Sequence, residues 1–147
     1  MVGFVWLAVG RGDRELDHER LDVYGVAVEF LARAYRLSRD LPRGQGELSD
    51  QLLRAAVSIV LNIAEGAGES AIKEKARFFR MAKRSANECA AVLDIAARLG
   101  FLGDDERRSN RLLLVRTVEM LTRLSQPQIR PPPTAHHQHA PLSADSS

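Results

Sequence analysis

The chain predicts an all-α fold, an antiparallel up-and-down four-helix bundle. Three observations predict it. Apolar residues recur at three- and four-residue spacing through four segments, and nowhere do they alternate as a strand requires. Ala, Leu, Val, Arg and Glu dominate the composition, which favours helix. The breaks between segments are short, so successive helices must lie antiparallel. A length of 147 residues and a hydrophobic fraction of 45% suit one domain with one core.

The first helix is expected from about His18 to Ser38, with Asp17 as N-cap. Val23, Phe30, Ala34 and Leu37 cover one side of it, and Leu21, Tyr24, Val28, Leu31 and Tyr35 cover an adjoining side. Together they span about half the circumference, where a core-facing helix needs about 100°. Excess apolar surface of this kind predicts a partner, most commonly a second copy. Leu21, Tyr24, Val28, Leu31 and Tyr35 are therefore the expected oligomer interface, although a helix set deep between its neighbours would show the same pattern.

Leu41-Pro42-Arg43-Gly44-Gln45-Gly46 reads as a turn-rich connector. The second helix follows from about Asp50 to Ala64 or Glu65, with Ser49 as cap and with Gly66 and Gly68 ending it in the left-handed conformation. Leu52, Leu53, Ala56, Ile59, Val60 and Ile63 face inward, opposite a polar stripe of Gln51, Arg54, Ser58, Asn62 and Glu65. The third helix starts after Ser70 and reaches Leu99, with Gly100 as its stop. Its inward face is Phe78, Ala82, Ser85, Cys89, Val92, Leu93 and Ala96. The fourth starts after Asp104, carries Asp105 and Glu106 where the helix dipole favours acids, and ends near Ser125 ahead of Pro127. Leu113, Leu114, Thr117, Met120, Leu121 and Leu124 face inward; Arg108, Arg116 and Arg123 face outward, with Glu119 among them.

The bundle thus occupies residues 17–125, between a flexible N-terminal leader, 1–16, and a disordered tail, 126–147, rich in Pro, His and Ser. The apolar opening Met1-Val2-Gly3-Phe4-Val5-Trp6-Leu7-Ala8-Val9 lacks the basic segment and cleavage site of a signal peptide and is too short to span a bilayer. Cys89 is the single cysteine, which excludes an internal disulfide framework and favours a reducing compartment. A cytoplasmic protein with no membrane partner is expected.

Of the 21 basic residues only Lys73, Lys75 and Lys83 are lysines, against a net charge of +2. Arginine suits bidentate contact with phosphates or carboxylates. Lys73, Arg77, Arg80 and Arg84 fall at i, i+4, i+7 and i+11, a stripe that can follow a phosphate backbone without reading its sequence. Glu74 and Glu88 dilute it, and an ordinary solvated face reads the same way.

Other candidates are weaker. Gly66-Ala67-Gly68-Glu69-Ser70-Ala71 mimics a dinucleotide fingerprint but follows a helix instead of a strand. Ser58 has no histidine within its helix, and His18 is the only folded-region candidate for a base. No Glu-x-x-His pair of the di-iron type lies within the four helices. His136, His137 and His139 lie in the tail, where no fixed ligand geometry exists. The inward Cys89 reads as an inert core thiol. No catalytic centre, metal or cofactor is expected.

Two runs carry a resemblance: Leu53-Arg54-Ala55-Ala56-Val57-Ser58-Ile59-Val60-Leu61-Asn62-Ile63-Ala64-Glu65-Gly66, and Arg77-Phe78-Phe79-Arg80-Met81-Ala82-Lys83-Arg84-Ser85-Ala86-Asn87-Glu88-Cys89. They resemble the four-helix-bundle proteins encoded in 23S rRNA intervening sequences, a family related to the accessory variability protein of diversity-generating retroelements. The resemblance covers about Leu16 to Leu124. It implies a homopentameric barrel and, in the retroelement branch, a basic surface that contacts RNA or DNA and a reverse transcriptase. By position, Asn62, Glu65 and Gly66 match the signature turn, and Ser85 and Glu88 the third-helix signature. The implied role of these residues is structural, closing the turn and pairing helices. Val60 stands where a proline is usual and Arg84 where glycine is common, which adds charge to the stripe.

The expected function is a non-catalytic oligomer that binds RNA or DNA through Lys73, Arg77, Arg80, Arg84, Arg108, Arg116 and Arg123. The alternative is a protein-interaction scaffold that binds no nucleic acid.

Overall fold

A computed structural model describes residues 16–126, and among them the chain forms four α-helices, one short 3-10 helix and no strand. The helices are α1 (Asp22–Asp40), α2 (Gly46–Gly68), α3 (Ile72–Arg98) and α4 (Asp104–Ser125). Each packs on its neighbours in sequence, and α4 closes the bundle against α1. The leader and the tail lie outside the described residues, apart from Leu16 and Gln126 at their inner ends.

Asp17 does not cap α1. It opens the 3-10 turn Asp17–Arg20, whose Glu19 carboxylate accepts the Leu16 N–H at 2.7 Å, and α1 begins one residue after Leu21. The 3-10 turn packs on α2 and α1, and the His18 ring meets Tyr24 edge-on at 4.6 Å.

The α1–α2 connector turns through Gly44, at φ +89°. Helix α2 starts earlier than its pattern suggests. The Ser49 N–H already bonds to the Gln45 carbonyl at 3.0 Å, so Ser49 lies inside the first turn and its hydroxyl is free to bond Ser38 of α1. Helix α2 also runs through Gly66 to Gly68, with neither glycine left-handed. Gly66 is instead a point of close approach. A Cβ there would lie 2.7 Å from Cε1 of Phe79 and 3.1 Å from Cβ of Phe78. The glycine admits an aromatic ring, and only Gly68, at the helix end, precedes the turn.

Helix α3 ends as expected. Gly100, at φ +79°, donates to the Ala97 carbonyl at 3.1 Å, and Phe101 donates to Ala96 at 2.8 Å. This is the paired bond pattern of a left-handed glycine stop. Leu102 then folds into the core. Helix α4 opens with Asp104, Asp105 and Glu106 in its first turn.

Phe30, Ile59, Ile63, Phe79, Leu93 and Leu121 anchor a core to which all four helices contribute. Four inward assignments need correction. Phe79 takes the core position expected of Phe78, which is half-buried beside it. Leu53 is half-buried at the edge of the α1–α2 contact. Leu124 is 41% exposed and Met120 half-buried. Counting from the hydrogen bond between Arg33 of α1 and Ser109 of α4, Leu124 is level with about residue 18, before α1 begins, so α1 cannot cover it.

Candidate nucleic-acid interface

The stripe on α3 is solvent-facing throughout: Lys73, Arg77, Arg80 and Arg84 are all exposed. From Lys73 to Arg84 the helix rises about 16 Å. Arg77 pairs with Glu74 at 3.0 Å and its guanidinium lies 5.0 Å from the Phe78 ring centre. An exposed pair of this kind contributes about 0–1 kcal/mol, too little to hold Arg77 away from a phosphate. Lys73, Arg80 and Arg84 make no ion pair among the described residues.

The Arg107–Asp94 ion pair, at 3.0 Å, sets the level of α4 against α3. Counting outward from it, Arg116 is level with about residue 85 and Arg123 with about residue 78. Being level does not join them to the stripe: Arg116 and Arg123 follow Ser109 by seven and fourteen residues, on the α4 face that reaches Arg33 of α1 and about half a turn from Arg107. A further cation, Lys83, is half-buried on α3. It escaped the sequence reading because it lies off the stripe, on the edge of α3 that carries Asp94. Glu74 and Glu88, both exposed, are the acids beside the stripe. Arg108 is not part of it: it sits near the α3–α4 loop and pairs with Asp105 at 2.6 Å.

The expected oligomer face of α1 is less open than its pattern suggests. Leu21, Tyr24, Val28 and Leu31 are half-buried against the core, and only Tyr35, at 51%, is exposed. The missing apolar surface is on α2. Leu53, Val57, Leu61 and Ala64 recur at helical spacing along its outer edge, and Leu61 is 58% exposed. The Ser38–Ser49 contact aligns the two helices, so this strip flanks Tyr24, Val28, Leu31 and Tyr35 along a single groove.

The polar stripe of α2 is largely an interhelical seam. Ser58 and Ser85 share a hydrogen bond at 2.8 Å, and Asn62 donates to the Ser58 hydroxyl at 3.0 Å and carbonyl at 2.8 Å. Ser58 and Ser85 thus join α2 to α3, and Asn62 holds Ser58 from within α2. Gly66 joins them through Phe79. Glu65 and Glu88 are exposed and make no side-chain hydrogen bond or ion pair among the described residues. Cys89 is fully buried, with its thiol 3.9 Å from the Leu52 carbonyl. Burial, and secondarily the Glu88 charge, push its pKa up to about 12, which keeps it protonated and unreactive at neutral pH. His136, His137 and His139 fall outside the described residues. Among the described residues no helix is long and apolar enough to cross a membrane.

Residues 19–123 match the family described as 23S rRNA-intervening sequence protein. The chain belongs to that family. A crystal structure of a protein of unknown function from the S23 ribosomal protein family of Bacteroides thetaiotaomicron has the same fold, at a TM-score of 0.66 and 23% identity. The match covers 71% of this chain and 99% of that one. No curated protein matches the chain.

Proposed function

We propose that this 23S rRNA-intervening sequence protein is a non-catalytic, self-associating scaffold that binds RNA or DNA through the basic stripe of α3. The observation that carries the reading is the exposure of Lys73, Arg77, Arg80 and Arg84 along one face of α3, with Glu74 and Glu88 beside them and with Lys73, Arg80 and Arg84 in no ion pair among the described residues. A spread of cations with no concave pocket suits phosphate contacts, which position a nucleic acid without reading bases. Self-association uses the α1–α2 groove, and the sequence resemblance implies a pentamer. Through the retroelement branch it also implies a reverse transcriptase as partner.

The test is binding to an RNA hairpin and a DNA duplex across a salt series, with light scattering on the same samples. About four phosphate contacts give a slope near −3 to −4 in log affinity against log salt for duplex DNA. Arg77→Glu with Arg80→Glu and Arg84→Glu removes most of that slope, while Leu61→Glu lowers the oligomeric state. Absence of salt-dependent affinity for either nucleic acid would defeat the reading. The exposure of Leu61 and Tyr35 favours a second reading, a protein-docking scaffold. In that case the arginine variant keeps full partner binding and Leu61→Glu loses it.

A further inference from the structure

We infer that residues 4–9, which lie outside the described structure, return onto the end of the bundle where the chain enters it and cover the core-facing residues left bare there. The inference stands apart from the α3 stripe and from the α1–α2 groove.

The two ends of the bundle differ. At the end formed by the α1–α2 and α3–α4 connectors, the connectors close the core. Leu102 is buried there, and Leu41 and Phe101 are half-buried against it. The other end holds the start of α1, the α2–α3 turn and the end of α4. Its turn, Glu69-Ser70-Ala71, offers no large apolar side chain. Two core-facing rows run out past the core at this end. On α4, Thr117 and Leu121 are 0% exposed, while Leu124, which follows them on the same face, is 41% exposed. On α3, Phe79 is 2% exposed, while Ile72, seven residues before it on the same face, is 78% exposed. The Arg107–Asp94 pair sets Leu124 level with about residue 77, so Ile72 lies about 8 Å further out. The segment leading into α1 gives no cover. Its 3-10 turn packs on α2 and α1 and meets neither α3 nor α4. Leu16, the first described residue, is itself 62% exposed.

The sequence before Leu16 holds what this end lacks. Phe4, Val5, Trp6, Leu7 and Val9 fill five of six successive positions. Packing them on Leu124 and Ile72 removes apolar area from water on both sides, and the aromatic rings supply most of it. Residues 10–15, Gly-Arg-Gly-Asp-Arg-Glu, form the tether to Leu16. Six extended residues span at most about 20 Å. Helix axes 8–10 Å apart put the far corner of a four-helix bundle about 11–14 Å away, within that reach. Residues 127–147 leave the bundle at the same end but suit it less. Their large aliphatic side chains are Ile129 and Leu142 alone, thirteen residues apart.

Trp6 is the single tryptophan, so fluorescence of the full-length protein reports this segment and nothing else. In the native protein acrylamide quenches Trp6 several-fold less than in urea. Trp6→Ser alters a residue outside the bundle and so leaves the four helices folded. In methyl-labelled protein it moves the Leu124 and Ile72 methyl resonances, which lose the ring current of the indole, and leaves those of Leu61 in place. The melting temperature falls by about 2–8 °C, the scale of one lost apolar contact in a domain of this size. A Trp6 quenched as readily in the native protein as in urea overturns the inference. So do Leu124 and Ile72 methyls that Trp6→Ser leaves unmoved, or movement at Leu61 alone, which assigns the segment to the α1–α2 groove. Mixing labelled Trp6→Ser chains with unlabelled wild-type protein identifies the donor. Resonances that stay at their Trp6→Ser positions mean that each chain covers its own end. A return to the wild-type positions means that a second copy supplies the segment, and overturns the inference.

Discussion

The α2–α3 contact and the α1–α4 contact close to different degrees. Between α2 and α3, the most extensively packed pair, the buried faces carry small residues: Gly66, Ala55 and Ala56 on α2, and Ala82 and Ala86 on α3. The helices come near enough for Phe79 to fill the space over Gly66, for Ser58 to bond Ser85, and for the Cys89 thiol to reach the Leu52 carbonyl. Every side-chain polar atom buried in that seam has a partner, since Asn110 Oδ1 is the only orphan among the described residues. Between α1 and α4, the least extensive of the neighbouring contacts between helices, the meeting residues include Arg33, Ser109 and Asn110. Long polar side chains hold the backbones apart, a cleft opens, and an acceptor is stranded. Side-chain size at the contact positions sets the approach, and the approach decides whether polar groups find partners inside the protein.

The comparison can be broken first at Gly66. Gly66→Ala pushes a methyl into a buried ring and loses about 1–3 kcal/mol from overpacking, offset by up to about 1 kcal/mol of helix propensity. Urea unfolding measures the net loss. Phe79→Leu in the same chain recovers part of it, because the smaller side chain vacates the space. A Gly66→Ala protein as stable as its parent would mean that the seam is free to widen.

On the loose side the sign reverses. Asn110→Leu removes an unpaired buried acceptor and gains on the order of 1 kcal/mol, read as a higher melting temperature. Destabilisation by this change would show that the Nδ2 bond to Glu106 outweighs the orphan oxygen. The smallest effect concerns the serine bridge. A double-mutant cycle of Ser58→Ala and Ser85→Ala gives a coupling of about 0.5–1.5 kcal/mol. Strict additivity of the two changes would reduce the bridge to an incidental contact.

Much of this molecule was legible along the chain. Helical periodicity is local, so the four segments, the glycine stop at Gly100, the acidic first turn of α4 and the exposure of the Lys73–Arg84 stripe follow from spacing alone. So does the inward direction of Cys89, whose burial then makes its thiol inert. Gly66 shows the limit. Its residue type signalled a special position, but a left-handed turn and a close approach both call for glycine, and only the position of Phe79 on another helix distinguishes them. The wheel of α1 likewise showed an apolar excess without showing that α2 covers most of it and adds Leu61 beyond.

The sites were decided by helix docking. Arg116 and Arg123 stay apart from the α3 stripe, because α4 turns Arg107 toward α3 and Ser109, on their own face, toward α1. Asn110 is more than 70 residues from Arg33 and Arg36 in the chain and meets them only because α4 returns beside α1. A sequence determines which face of each helix avoids water, since that depends on residues three and four apart. Which faces then meet, at what level and how closely, depends on side-chain volumes from distant segments, and only the packed bundle sums those.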